Sequence, residues 1–311
     1  MRERESRLGP WLVAIGAGLW GTESAWRIPL NKVFDDPDVL VMWEHVVLVA
    51  LALPFVIPRL GELRKVSWRA LAWLVFSGIA GSALGAWLFT TALKPPANPT
   101  VINVVLNIQP VLSTTVAYLV FRDRLAKMFF VWAAIAVVSG AVLVGVFSSD
   151  FDVTASAGVG YALLTALCWG LATVAARGIM VEMSLPLAAG LRVIIGLVSM
   201  IVLVGAHGEL NTSALWPAAA SEHALETVGL LALLAGASGW VPLLLYFQGL
   251  KYTRASTAGY FEMMQTLIAA VITWAFFGAE LTWWQINGAI GLAIAVALVQ
   301  RAQEATALPE A

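Results

Sequence analysis

The chain has 311 residues, 60% of them apolar and only 12% charged, with a formal net charge of −1 and a mean hydropathy of +0.85. This balance excludes an ordinary soluble domain, and basic residues held mostly at the edges of apolar runs exclude a nucleic-acid surface. Runs of roughly 20 apolar residues, the length that crosses a ~30 Å hydrocarbon layer, recur along the chain, and in lipid each must pair its own backbone groups as a helix.

The first run, 11–31, follows Arg2, Arg4 and Arg7 and reads as a retained first helix, because nine further runs follow and no small-residue cleavage site stands behind it. The others are 38–57, 68–93, 99–121, 127–147, 157–178, 186–206, 226–250, 255–278 and 283–301. Short punctuation separates them: Asp35-Asp36-Pro37-Asp38, Pro95-Pro96-Ala97-Asn98-Pro99, Ser148-Ser149-Asp150 and Met183-Ser184-Leu185-Pro186. With the N-terminus inside, fourteen of the eighteen Lys and Arg residues fall on the cytoplasmic side, Arg59, Arg64, Lys65, Arg69, Arg122 and Lys251 among them. The acidic residues Asp35, Asp36, Asp38, Asp150, Asp152, Glu209, Glu222 and Glu226 collect on the other. The expectation is an all-α integral membrane protein of the bacterial inner membrane, multi-pass, with both termini cytoplasmic.

An internal echo organises the chain. Gln109-Pro110…Phe121-Arg122-Asp123-Arg124-Leu125 returns 156 residues later as Gln265-Thr266…Phe277-Gly278-Ala279-Glu280-Leu281. Leu19-Trp20-Gly21 matches Cys168-Trp169-Gly170, Glu44 matches Arg192, and Ala92-Leu93-Lys94 matches Gly249-Leu250-Lys251. Five helices per unit, an odd number, insert the second copy upside down. Residues 1–148 and 149–311 are therefore expected to be inverted repeats enclosing a midplane site, and duplication of this kind points to transport.

Ten runs in a five-plus-five order, Trp-Gly in the first helix of each half, the segment Gln109-Pro110-Val111-Leu112-Ser113-Thr114-Thr115-Val116-Ala117-Tyr118-Leu119-Val120-Phe121 and the segment from Gly278 to Gly288 together resemble the drug/metabolite transporter superfamily, EamA type. The resemblance spans about residues 10–300. It implies a secondary carrier of small organic solutes, often an exporter, whose cavity is built mainly by the first, third, fourth, sixth, eighth and ninth helices. The chain departs from the family pattern at three places. Thr266 stands where the ninth helix usually has proline, Glu44 where the second often has arginine, and Glu23 has only Ala172 opposite it in the repeat.

Intramembrane polar residues carry whatever chemistry the chain performs, since a charge at the bilayer centre costs ~3 kcal/mol on insertion scales. Glu23 shares a helix face with Trp20 and Arg27 by i, i+3 and i+4 spacing. It can hold an ammonium group beside an aromatic face, relay a coupling proton, or simply pair with Arg27. Glu262 falls on the stripe Gly259, Glu262, Met263 and Thr266, matching Asn103, Leu106, Asn107 and Pro110. It is the second proton-coupling candidate, with a structural pair to Arg192 as the alternative. Asn103 and Asn107, an i, i+4 pair, can orient a polar solute or tie helices together. Trp20, Trp87, Trp169, Tyr246 and Tyr260 are candidates for an aromatic wall, Trp20 and Trp169 forming a symmetric clamp. Trp11, Trp68, Trp73, Trp283 and Trp284, at span ends, read as an interfacial belt. Glu44-His45 sits on a helix expected to be peripheral, with at most one of the two facing inward. Gly78, Gly81, Ser82 and Gly85 in the third helix, with Pro110 and the counterparts Gly236, Gly239 and Pro242, allow close packing or a hinge.

An enzyme is not expected, for there is no metal-spaced cluster, phosphate-cradling glycine loop or nucleophile elbow, and no cofactor or metal is implied. Cys168 is the single cysteine and reads as a small packing residue. The expected partners are a small-molecule substrate and the lipid bilayer, with monomer and homodimer both open. The expected solutes are small amphipathic metabolites such as amino acids or organic amines, moved by alternating access. A multidrug exporter of hydrophobic cations, an uncoupled facilitator and a membrane scaffold are the alternatives.

Overall fold

A computed structural model describes the backbone of residues 2–121, 125, 127–144, 153–179, 182–208, 215–250, 255–278 and 280–307, and these residues form helices and no strand. Helices α1 (Arg2–Gly21) and α2 (Glu23–Val33) form one rod broken at Thr22. The Thr22 hydroxyl donates to the Leu19 carbonyl at 2.7 Å, satisfying a group that the break frees. Helix α3 (Pro37–Val56) starts on proline, where the missing N–H costs nothing, and ends in a 3-10 turn over Ile57–Lys65.

The next rod is α4 (Trp68–Ser77), a π-helical turn over Gly78–Leu84, and α5 (Gly85–Ala92). Ser67 caps it by accepting from the Ala70 amide at 3.2 Å. Helix α6 (Pro99–Val105), capped by Asn98, passes through a 3-10 turn at Leu106–Ile108 into α7 (Gln109–Phe121). Pro110 stands just past that turn, where its lack of a donor breaks the α-helical ladder. Then follow α8 (Phe129–Val144), α9 (Val153–Ile179), α10 (Leu185–Ala206) and the short α11 (Ala218–Glu222). A further rod joins α12 (Ala224–Ala235), a second π-helical turn at Gly236–Trp240, and α13 (Val241–Leu250). Helices α14 (Ala255–Phe277) and α15 (Trp283–Ala307) close the described chain. With Thr266 in place of the proline at Pro110's matching position, α14 runs without a break.

Among the described residues, five stretches are long and apolar enough to cross a membrane: Pro37–Lys65, Trp68–Ala92, Ala157–Ala176, Leu185–Ala206 and Ala224–Gly249. Pro99–Ser113, Phe129–Leu143, Met264–Phe277 and Trp283–Leu298 are shorter apolar helices. Large apolar side chains point outward along them, Val202, Trp274 and Phe276 among them, as they do where the surrounding solvent is lipid. Trp68, Trp283 and Trp284 are more than 60% exposed at helix starts, and Trp11 is as exposed midway along α1.

Packing crosses between the two halves of the sequence. Helix α1 lies along α13 and α14, while α9 lies along α4, α5 and α7. Helix α3 pairs with α10, and α8 with α15. Small residues permit these approaches. A Cβ on Gly81 would strike the Ala172 methyl and the Arg192 guanidinium, and one on Gly85 would strike the Trp169 indole.

The tightness of these crossings yields a stability test. A Cβ on Gly249 would stand 2.7 Å from the Gly9 carbonyl oxygen and 2.8 Å from the Val13 amide nitrogen, both backbone atoms of α1, whereas Gly140 in α8 has nothing within 4 Å of the same added carbon. Gly249→Ala is expected to destabilise by about 1–3 kcal/mol by forcing α1 and α13 apart. Gly140→Ala is expected to be neutral or slightly stabilising. Thermal melts of both variants in one detergent check the contrast.

Candidate functional site

The most concentrated polar chemistry sits between α2, α3 and α5, toward the end of the bundle where α2 and α5 finish. Arg27 is completely buried and makes four side-chain hydrogen bonds. Its Nε and Nη2 donate to Glu23 Oε1, the Nε bond at 2.9 Å, and Nη2 also donates to Glu44 Oε2 at 2.8 Å. Its Nη1 donates to the Thr90 hydroxyl, which passes its own proton to the Ala86 carbonyl at 2.7 Å. The guanidinium also lies over the Phe89 ring, 5.8 Å from its centroid. Glu23 and Glu44 are 8% and 6% exposed. The i, i+4 spacing of Glu23 and Arg27 thus produces the ion pair that the sequence left as one of three readings.

Glu44 is a residue whose position sequence reasoning missed. Helix α3 is not peripheral: it packs on α10 along one side and reaches α2 and α5 along another. Both members of the Glu44-His45 pair are therefore buried, although they point about 100° apart. His45 Nδ1 lies 2.8 Å from the Val41 carbonyl oxygen, which only accepts, so the proton is on Nδ1. His45 Nε2 lies 2.8 Å from the Ser82 hydroxyl. The legible signal was a Glu-His dipeptide inside an unbroken apolar run.

Beside this cluster, neutral side chains tie helices together one bond at a time. Asn103 Nδ2 donates to Ser24 Oγ at 2.9 Å and to the Pro99 carbonyl at 2.8 Å. Asn107 Oδ1 accepts from the Thr266 hydroxyl at 2.7 Å, and the hydroxyls of Thr100 and Thr273 lie 2.8 Å apart, so two bonds join the α6–α7 rod to α14. Ser238, in the second π-helical turn, lies 2.8 Å from the Thr22 hydroxyl and accepts from Trp26 Nε1 at 3.0 Å. Both asparagines thus bond neighbouring side chains.

The aromatic candidates separate into pairs. Trp20 rests against Tyr246 with ring centroids 4.9 Å apart, and Trp169 against Phe89 at 5.5 Å. Trp87 joins an apolar cluster with Leu30, Phe34 and Leu40. Gly239 faces Leu48, Pro242 is buried, and Pro110 is partly buried. Tyr260 and Glu262 lie in the first turns of α14, and their side chains fall outside the described residues.

At the opposite end, two glutamates cap helices in trans. Glu182 accepts from the amide and hydroxyl of Ser67 at 2.6 and 2.8 Å. Glu62 accepts from the amide and hydroxyl of Ser184, both at 2.9 Å. Each serine begins one of the two rods that this exchange ties together. Near them lies a shallow, partly open cleft lined by Ser77, Ile179, Leu185, Arg192 and Phe247 among others. Arg192 has no ion-pair or hydrogen-bond partner among the described residues, and the buried Ser77 hydroxyl has none either.

Two outcomes follow from this geometry. Arg27→Met leaves two buried carboxylates without their counter-charge and is expected to cost about 3–5 kcal/mol, whereas Glu44→Gln, which keeps an acceptor, is expected to cost about 1–2 kcal/mol; melts in detergent check the ranking. The Ser67 amide and hydroxyl hold the exposed Glu182 carboxyl below its ordinary value of 4.5. A depressed folded-state value stabilises above the unfolded one, so this contribution is present at neutral pH and is lost as pH falls below about 4.5. Glu182→Gln is expected to remove that part of the acid-side loss, measured as Tm against pH.

Comparison with known proteins places this architecture. Residues 156–301 match the EamA-like transporter family. The riboflavin transporter ImpX of Fusobacterium nucleatum subsp. nucleatum is 24% identical over 301 residues, covering 94% of this chain and 97% of that protein. A protein of known crystal structure shares the fold with a TM-score of 0.59 at 16% identity, covering 96% of this chain and 99% of the other. The chain is a multi-pass membrane protein whose residues 156–301 match the EamA-like transporter family, and this match with the transporter-named relative supports a transporter of the drug/metabolite transporter superfamily.

Proposed function

We propose that the protein is a secondary carrier that moves a small amphipathic organic solute by alternating access between two inverted five-helix units, residues 1–148 and 149–311. In this reading ten helices cross the bacterial inner membrane, both termini are cytoplasmic, and the two units rock about a site between them. The observation that carries it is the exchange of packing between the halves. The rod containing Trp20 rests on α13 and α14, as α9, containing Trp169, rests on α5 and α7. Trp20 on Tyr246 repeats Trp169 on Phe89, because Phe89 and Tyr246 both lie three residues before the matched Ala92 and Gly249. The π-helical turns at Gly78 and Gly236 stand at matching places in the third and eighth rods.

The bonding favours rocking on energetic grounds. The ties of Arg27 to Glu23, Glu44 and Thr90 all lie within the first unit and are charge-assisted. Several ties between the units, Thr266 to Asn107 and Thr100 to Thr273, are single neutral hydrogen bonds worth about 0.5–1.5 kcal/mol each. The charge-assisted caps of Glu182 on Ser67 and of Glu62 on Ser184 also cross between the units at one end, so the seam opens where only the neutral bonds join it. Glu23 and Glu44, sharing one guanidinium, are the candidate carriers of a coupling proton, with Glu262 the third.

Amino acids and organic amines are the solute class we place first, held against the aromatic pairs. A flavin-sized solute is the second reading, favoured by the similarity to a protein named as a riboflavin transporter.

Reconstituted vesicles test the mechanism. Vesicles loaded with amino acids, polyamines or riboflavin are expected to accumulate the matching labelled solute by exchange. In a Cys168→Ala background, Thr100→Cys with Thr273→Cys places sulfurs where hydroxyls now lie 2.8 Å apart. Oxidation is expected to stop exchange and reductant to restore it. Exchange at the parental rate across a verified cross-link overturns rocking at this seam, and no exchange of any solute by a folded protein overturns the carrier reading.

A further inference from the structure

We infer that Arg192, with Ser77 beside it, is the receptor for a carboxylate on the transported solute. The inference deepens the carrier reading and rests on it.

The argument begins with an asymmetry between matched positions. In the first half, Glu44 of α3 meets Arg27 and, through it, Glu23. In the second half the residue matching Glu44 is Arg192, a cation, and the residue matching Glu23 is Ala172. The structure brings these two to the same place: a Cβ built on Gly81 would touch both the Ala172 methyl and Arg192 Nη2. Where the first half supplies an acid to its buried cation, the second supplies a methyl group. Arg192 is left without an ion-pair partner among the described residues.

A guanidinium within a membrane helix with no partner among the described residues is costly, and such residues face a cavity or mark a substrate pathway. The cleft beside Arg192 is shallow and partly open, and its other polar group is Ser77. The Ser77 hydroxyl is fully buried and makes no hydrogen bond, which leaves a donor uncommitted. A guanidinium fork and a hydroxyl offer donors that a carboxylate can accept together. Ile179, Leu185 and Phe247 form the apolar remainder of the lining. A zwitterionic amino acid meets both demands. A purely cationic amine does not, so the site narrows the proposed solutes to those bearing an acid group.

Binding is read directly on the purified full-length protein in a non-ionic detergent, by thermal shift against benzoate, isovalerate and tryptophan. The matched neutral probes are benzamide, isovaleramide and tryptophanamide, with sodium chloride as the salt control. The carboxylates are expected to raise Tm and the amides not. Arg192→Met is expected to shift the half-saturating carboxylate concentration about 10-fold or more, with Arg192→Lys intermediate. Unlike Arg27→Met, Arg192→Met should melt no lower than the parent without ligand, because it removes an uncompensated charge. Ala172→Glu, which restores the acid of the first half, should lose the carboxylate response. Equal shifts by acids and amides, or an undiminished acid response in Arg192→Met, overturn the inference. A response to phosphatidylglycerol alone also overturns it and assigns Arg192 to lipid. Vesicle exchange separates the two levels: solute exchange unaffected by replacing the carboxylate with an amide sinks the receptor while leaving the carrier intact.

Discussion

The arrangement depends most on one buried cation and the two carboxyl groups it holds. Arg27 sits at no exposure between α2, α3 and α5 and closes four hydrogen bonds. A charge in that position is tolerable only when its hydrogen-bonding capacity is spent, so the surrounding helices are fixed relative to one another by the need to spend it. That constraint turns three rods of the first unit into one body. It also commits the Glu23 carboxyl to Arg27, the pairing among its three possible roles.

Much of the fold was legible from the residues. Apolar runs of spanning length and the proline-bearing punctuation between them gave the rods, although α1 already begins at Arg2, ahead of the first run at 11. Pro37, Ser67, Asn98 and Ser184 stand where the helices begin. The small-residue stripe in the third rod was legible as close packing. What it packs against was not, since α9 and α10 are about a hundred residues away. The π-helical turns were not legible either, because Gly-Ile-Ala-Gly-Ser-Ala-Leu contains nothing that distinguishes a widened turn from an ordinary one.

The candidate site was legible in its residue types and not in its pairings. Glu23–Arg27 could be read because i, i+4 partners lie on one helix face. Glu44 could not, because its partner depends on which side of α3 meets α2, a fact of tertiary packing. Asn107 and Thr266 were aligned by the repeat as matching stripes, yet the hydrogen bond between them requires the two stripes to face one another. The exchanged caps of Glu62 on Ser184 and Glu182 on Ser67 were hidden for the same reason. Each glutamate looks like an ordinary loop charge until the two turns are seen to be neighbours.

The duplicated units use the same positions for different ends. Matched Glu44 and Arg192 differ in sign, and matched Glu23 and Ala172 differ in whether any charge is present at all. The first unit therefore pairs its buried cation internally, and the second leaves Arg192 without a partner among the described residues, beside a cleft that Ser77 of the first unit also lines. A cation so placed gives a solute something to complete. The neutral bonds along the seam, each small, can then be outweighed by the interactions the solute contributes. Single neutral bonds along the middle of the seam, carboxylate caps that hold the units together at one end, and a cation with no partner among the described residues beside the cleft are features of a carrier whose movement responds to its cargo.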